Sequence, residues 1–264
     1  MLEAQTVSVA FCFCCLIYAS LSDLKTRTVG NWLWVFMAAV GVPLATCGIL
    51  THAAHTAVQL IFSVLSTSVL AFFCFRLGLF GGADAKALIC ISLLIPSHFS
   101  SGVGAVGAIS CPFAVTTLFN AALLSTAAPL SVFFYNLFQE RKIENVKLMF
   151  VGYKVPVGEL ACKKYVRLVH SYEEEVVGEG EGEDEGEGED EGEGEGEKVV
   201  KRFSFGGVEI DEETVKRLKE YAAEGKIEDE VWVTPELPFM LFITAGFFIS
   251  VVCGNLIMLV FSLP

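Results

Sequence analysis

Charged residues are scarce over most of this 264-residue chain. Of its 18 Lys and Arg and its 31 Asp and Glu, 14 and 27 respectively lie within residues 138–235, which therefore carry the whole net charge of −13. The remaining residues hold four bases and four acids among long apolar runs. This scarcity excludes a wholly soluble protein. The negative charge also argues against nucleic acid as a partner, because binding to phosphates requires a basic surface.

The sequence also lacks cysteine pairs with the spacing of a zinc site or a disulfide framework. Eight of the nine cysteines lie in apolar runs, where cysteine behaves as a small apolar residue. The ninth, Cys162, lies in the charged segment. We therefore expect neither a metal nor another cofactor.

Six apolar runs predict membrane spans. Most have the length that a bilayer requires, and the fourth is cut short by Pro96. Pro129 predicts a kink in the fifth. A cleaved signal peptide is the alternative for the first run, but its start contains Glu3 and no Lys or Arg. The predicted spans are residues 4–22, 32–50, 56–77, 85–95, 112–138 and 238–263.

The basic residues outside the apolar runs predict the orientation. The loops after the first, third and fifth spans contain Lys or Arg, whereas the opposite loops contain none. The positive-inside rule then places these three loops in the cytoplasm and both termini outside. We predict an α-helical integral membrane protein of the cell membrane, with six transmembrane helices and a small cytoplasmic α+β insertion between helices 5 and 6.

Three segments follow from this architecture: a membrane core over residues 1–137, a soluble insertion over 138–235, and the sixth helix over 236–264. Within the insertion, residues 178–197 are 12 acids and 8 glycines, which cannot bury a core and are expected to be disordered. One possibility is that their negative charge attracts a basic substrate. The alternative is that the run is a solvated linker with no binding function.

The rest of the insertion has the patterns of strands and one helix. Alternating apolar residues predict strands at 147–155, 165–172 and 199–205, with a further strand at 230–234. Asp211 predicts the N-cap of an amphipathic helix that ends near Gly225.

Two acids interrupt the apolar runs, and both are candidates for function. Asp23 ends the first run, and Asp84 begins the fourth after Gly81, Gly82 and Ala83. An ionisable group near membrane depth is costly and marks a functional site by default. Both lie on the same predicted side, so they can meet. Two close carboxylates share a proton, and such a pair can activate water for peptide hydrolysis. The alternatives are ordinary helix-boundary acids, or a proton or ion relay in a transporter.

Two motifs around these acids resemble the paired signatures of a known family. They are Asp23-x-Lys25-x-Arg27-x-Val29-x-Asn31 and Gly81-x-Ala83-Asp84-x-Lys86. They resemble the type IV prepilin peptidase-like membrane aspartic proteases of the Gly-x-Gly-Asp type. Residues 231–239 are similar to the stretch before the last span in the archaeal preflagellin (prearchaellin) peptidase branch.

The resemblance implies an endopeptidase that removes short basic leaders from archaellin or pilin-like precursors at the cytoplasmic membrane face, without a metal. It implies Asp23 and Asp84 as the catalytic pair. The remaining motif residues form the active-site loops, namely Gly81, Gly82, Ala83, Lys86, Lys25, Arg27 and Asn31.

Three departures from the family pattern qualify the resemblance. Ala83 replaces a common Gly, and Gly30 replaces a common Pro. The zinc-binding cysteine pairs of bacterial relatives are missing, so a bifunctional peptidase and methylase is not expected.

Overall fold

The computed structural model describes residues 2–52, 54–97, 111–140, 145–175 and 198–256. Its backbone divides into two compact units, one of Met1–Ala127 with Leu237–Pro264 and one of Ala128–Glu236. The first unit contains the helices α1 (Leu2–Thr26), α2 (Asn31–His52), α3 (Ala54–Arg76), α4 (Gly82–Leu94), α5 (Phe113–Ser125) and α9 (Phe239–Val252).

Helix α4 lies at the centre of the first unit. It contacts α1, α2, α3, α5 and α9. These five helices also contact one another in the cyclic order α1, α2, α3, α5, α9 and back to α1, so they surround α4. The side chains of Ala87, Leu88 and Ile91 are accordingly fully buried. The sequence GADAKALICISLL thus forms a short central helix whose N-terminal turn carries Asp84.

Small and hydroxyl side chains hold α9 against its neighbours. The backbone of Gly246 packs directly on α5, and Asn120 Nδ2 donates to Ser250 Oγ at 2.9 Å. On the other side, Ser20 Oγ and Thr244 Oγ1 of α1 and α9 are 2.7 Å apart. Such contacts are typical of helices that associate within a bilayer, where apolar burial gives little driving force.

Four stretches of helix are long and apolar enough to cross a membrane. They are Gln5–Thr26, Asn31–Leu50, Thr56–Arg76 and Phe113–Gln139. Helix α9 is shorter, with 14 residues, and α4 has 13, or about 20 Å. The chain is therefore a multi-pass membrane protein, and the count of six spans stays a prediction.

Two of the predicted spans contain a break in the helix. The fifth span is interrupted at Thr126, between α5 and α6 (Ala127–Glu140), three residues before the predicted kink at Pro129. Proline lacks the N–H that would bond the carbonyl of Ser125 four residues earlier, so the helix breaks there. In the sixth span, α9 ends at Val252, and Gly254 adopts the left-handed conformation (φ 74°) that often terminates helices. Residues 257–263 of this predicted span lie outside the described residues.

The second unit is a four-stranded antiparallel sheet with helices on both faces. The strands β1 (Tyr153–Pro156), β2 (Val166–Glu175), β3 (Lys198–Glu209) and β4 (Glu230–Pro235) have the order β1-β4-β2-β3. Helix α8 (Glu212–Ala223) covers one face with Val215 and Leu218, against Leu168 and Val233. Phe133 of α6 and Met149 of α7 (Val146–Val151) pack near Trp232 on the other face.

Most elements predicted for the insertion are confirmed. Asp211 caps α8 through its side chain, which accepts the N–H of Thr214, and β4 lies at the predicted place. The strand predicted at 147–155 is wrong in its first half, which forms α7, whereas β1 is confined to Tyr153–Pro156. A 3-10 helix follows at Val157–Cys162. The acidic run at 178–197 lies outside the described residues.

Candidate active site

Asp23 lies in the last turn of α1, half-buried and next to a tight loop. The loop begins where the N–H of Arg27 donates to the carbonyl of Asp23 at 3.0 Å. Arg27 has a φ of 54°, in the left-handed region that residues with a side chain rarely adopt. The charge of Arg27 acts on the Asp23 carboxylate. The loop that follows Asp23 therefore brings a cation close enough for its charge to influence the carboxylate.

Three hydroxyl groups hold this loop against the end of α1. Ser22 Oγ donates to the carbonyl of Thr28 at 2.8 Å. Thr26 Oγ1 donates to the carbonyls of Ser22, at 2.9 Å, and Thr28, at 3.1 Å, and it also lies 3.1 Å from Thr28 Oγ1. These hydroxyl residues were not among the predicted site residues. Their signal was available, because the three hydroxyls alternate with the charged residues of the first motif.

Asp84 occupies the third position of α4 and is only 7% exposed. Its Oδ2 accepts the N–H of Gly81 at 3.0 Å, which satisfies one of the free donors at the helix start. Gly81 has a φ of −79°, so this position does not need the conformational freedom of glycine. A side chain at Gly81 would instead lie beside the carboxylate, with its Cβ 3.4 Å from Oδ2.

The structure brings the two motifs together. Helices α1 and α4 are in contact, and the charge of Asp23 acts on Asp84. Lys86, two residues after Asp84, donates from Nζ to Asn31 Oδ1 at 2.7 Å. The remaining motif residues surround this region: Ala83 packs on the core of the first unit, Gly82 lies near Phe75, and Lys25 is exposed at the end of α1.

A pair of carboxylates in this arrangement can perform acid–base chemistry on water. When two acids interact, one holds a proton while the other is ionised, and the pair offers both a donor and an acceptor. Among the residues that the structure describes, no group of three or more His, Cys, Asp or Glu is placed to hold a metal ion.

Comparison with known proteins gives matches over most of the chain. The sequence profile of the type IV leader peptidase family matches residues 10–133, which include both motifs. The profile described as archaeal peptidase A24 C-terminus type II matches residues 188–256.

Three curated proteins similar to this chain carry the name preflagellin peptidase. The protein of Methanococcus voltae is 28% identical over 92% of this chain and 93% of its own length. That of Methanocaldococcus jannaschii is 26% identical over 93% of both chains. That of Methanococcus maripaludis is 24% identical over 92% of this chain and 93% of its own.

Fold and matches together define a multi-pass membrane peptidase. Residues 10–133 are similar to the type IV leader peptidase family, and residues 188–256 to the C-terminal region of its archaeal members. The resemblance inferred from the two motifs is confirmed.

Proposed function

We propose that this peptidase is an aspartic endopeptidase that removes short basic leaders from archaellin or type IV pilin-like precursors at the cytoplasmic membrane face. Asp23 and Asp84 form its catalytic dyad. The observation that carries the proposal is the convergence of two acids, 61 positions apart, at the ends of the contacting helices α1 and α4. The names of the related proteins support preflagellin as the substrate class.

The reaction needs one proton donor and one proton acceptor. The ionised carboxylate takes a proton from water as the water oxygen attacks the scissile carbonyl carbon. The protonated carboxyl group donates its proton to the carbonyl oxygen, giving a tetrahedral intermediate. Collapse breaks the C–N bond, and the leaving nitrogen takes a proton from the dyad. Because the two acids are coupled, the two roles belong to the pair rather than to one residue.

The surrounding residues suit this chemistry. Gly81 holds Asp84 through its backbone N–H and has no side chain to cover the carboxylate. Arg27 brings a positive charge to Asp23 and balances the negative charge that two acids would otherwise concentrate. Burial of Asp84 keeps the general acid–base group away from bulk water, which strengthens its electrostatic interactions.

Isosteric substitutions test the dyad. Full-length protein in detergent is incubated with a preflagellin that carries its leader, and the product is sequenced from its N-terminus. We expect Asp23→Asn and Asp84→Asn each to lower the cleavage rate by at least about a thousandfold, since each removes a general acid or base. The Asn side chain at position 84 can still accept the Gly81 N–H, so folding is retained.

Asp211 supplies a matched control, because it also caps a helix, accepting the N–H of Thr214 at 2.7 Å. Asp211→Asn should leave cleavage unchanged. If Asp84→Asn cleaves within a few-fold of the unsubstituted enzyme, then Asp84 is a helix cap and the dyad is rejected.

The proposed orientation has six spans, with both catalytic loops and the insertion of residues 138–235 in the cytoplasm. Cys162 is exposed in the second unit and gives a direct test. A membrane-impermeant maleimide should label Cys162 in inverted vesicles and not in intact cells, with Cys162→Ser as the control. Labelling of Cys162 in intact cells would show that the orientation is the opposite of the one proposed.

A further inference from the structure

One side-chain hydrogen bond joins α4, which carries Asp84, to the start of α2, which follows the loop after Asp23. Lys86 Nζ donates to Asn31 Oδ1 at 2.7 Å. Lys86 lies two residues after Asp84 in the first turns of α4, and Asn31 is the first residue of α2. Both side chains are exposed, so neither is required to fill the core. The bond spans 55 positions of sequence and connects α4 to the loop that follows α1.

Further hydrogen bonds tie the loop between α1 and α2 to the end of α1, which carries Asp23. Ser22, the residue before Asp23, donates to the carbonyl of Thr28, and Thr26 bonds the same carbonyl. The loop therefore cannot move independently of the last turn of α1. Arg27 keeps its left-handed backbone, which is unfavourable in a residue with a side chain, because these bonds fix the residues on both sides.

An aromatic contact further limits the motion of the loop. The ring of Trp32, directly after Asn31, packs edge-on against Tyr18 of α1 at 5.5 Å between centroids. The same indole lies over Gly30, where an added Cβ would be 2.8 Å from its Cδ1. The loop between α1 and α2 is thus held along its length, and Asn31 is a fixed point rather than a mobile one.

We propose that Lys86 and Asn31 form a positioning pair that sets the separation of Asp23 and Asp84. The pair completes a hydrogen-bonded path from Asp84 through α4, Lys86, Asn31 and the loop to Asp23. This inference rests on the proposed function of the dyad. Small displacements of reacting groups are costly, since a shift of about 1 Å can lower a rate by about a hundredfold.

Two other roles for Lys86 make different predictions. If its charge alone matters, Asn31 is dispensable and arginine replaces lysine. If Lys86 is a solvated surface residue, neither side chain matters. A positioning pair requires that the loss of either partner has the same effect, and that the loss of both has no more effect than the loss of one.

The test is a double-mutant cycle on the full-length protein with preflagellin as substrate. We expect Asn31→Ala, Lys86→Met and the double variant each to lower kcat about 10- to 100-fold, with KM within about twofold. An exposed hydrogen bond contributes little to stability, so the melting temperature should change by no more than about 2 °C in all three. Lys216→Met is the control, because Lys216 is exposed in the second unit and pairs with Glu220 within α8.

Three results would overturn the pairing: Asn31→Ala with unchanged kcat, a double variant whose loss is the product of the single losses, or full recovery by Lys86→Arg in the Asn31→Ala background. The failure of the proposed function is separate. It would appear as cleavage by the Asp84→Asn variant, whatever the outcome of the cycle.

Discussion

Gly246 is the residue of α9 at which a single methyl group should be least tolerated. A Cβ at this position would lie 2.7 Å from the backbone N of Ala121 and the backbone O of Thr117 on α5. Both are atoms of a helix backbone and cannot rotate away. Ordinary contact begins near 3.4 Å, so α5 and α9 would have to separate by roughly 0.7 Å.

The expected cost of Gly246→Ala follows from this clash. Overpacking of a well-packed interface typically costs about 1–3 kcal/mol. The upper end applies here, because separation also stretches the bond from Asn120 to Ser250, one turn further along α9. A loss of about 3 kcal/mol corresponds to a melting temperature lower by roughly 6–12 °C in a protein of this size.

The assay is thermal unfolding of the purified protein in detergent, together with the cleavage rate. Gly48→Ala is the matched control, since Gly48 also lies inside a helix and its nearest atom, Thr56 Cγ2, is 3.9 Å from the added Cβ. Alanine favours helix over glycine by about 1 kcal/mol, so this variant should be neutral or stabilised. The rate should fall in Gly246→Ala, because Thr244 links α9 to Ser20 near the dyad. A melting temperature within about 1 °C of the unsubstituted protein would show that the close approach of α5 and α9 is wrong.

Two predictions concern the second unit. Asn136 is 1% exposed, and its Nδ2 donates to the carbonyls of Met149, at 2.9 Å, and Gly152, at 2.7 Å. Asn136→Ala should lower the free energy of unfolding, measured in urea, by about 2–4 kcal/mol, because both carbonyls lose their donor. A decrease below about 0.5 kcal/mol would contradict these bonds. Burial and the charge of Lys201 lower the pKa of His170 to about 4, below its usual value of 6.5. The unfolded state therefore binds the proton first, so the stability that neutral His170 contributes is present above pH 6.5 and is lost as the pH falls towards 4. The protection of β2 amides from hydrogen exchange should decrease over the same pH range, and this decrease should be absent in His170→Gln. If the variant keeps the same pH profile, groups other than His170 cause the decrease.

Local chemistry made several elements predictable from the sequence. The apolar runs identify α1, α2 and α3 because a bilayer requires nearly continuous hydrophobic residues over about 20 positions. Helix α8 follows from its N-cap Asp211 and from the 3.6-residue spacing of Val215, Leu218 and Tyr221, all of which are buried. The two motifs located Asp23 and Asp84 at helix ends, where the structure has them.

Other features depend on tertiary contacts that a single sequence does not display. The residues VKLMFV fit a strand and a short helix equally well. The helix α7 forms because Asn145 caps it, accepting the N–H of Leu148, and because Phe150 stacks on Phe133 of α6 at 4.4 Å. The central position of α4 likewise arises from five separate helix contacts.

Neither the motif nor the capping bond alone distinguishes a catalytic role of Asp84 from a helix-capping role. An acid at the third position of a helix is common, and its bond to the Gly81 N–H is an ordinary capping interaction. A cap contributes about 1 kcal/mol, whereas burial of a carboxylate costs several. Asp211 provides the comparison, since it caps α8 at the protein surface without that cost. If capping were the only role of Asp84, an exposed position or a neutral Ser would serve better. We infer that the burial of Asp84 serves chemistry, and Asp84→Ser is the variant that separates the two roles: it should retain the melting temperature and lose cleavage.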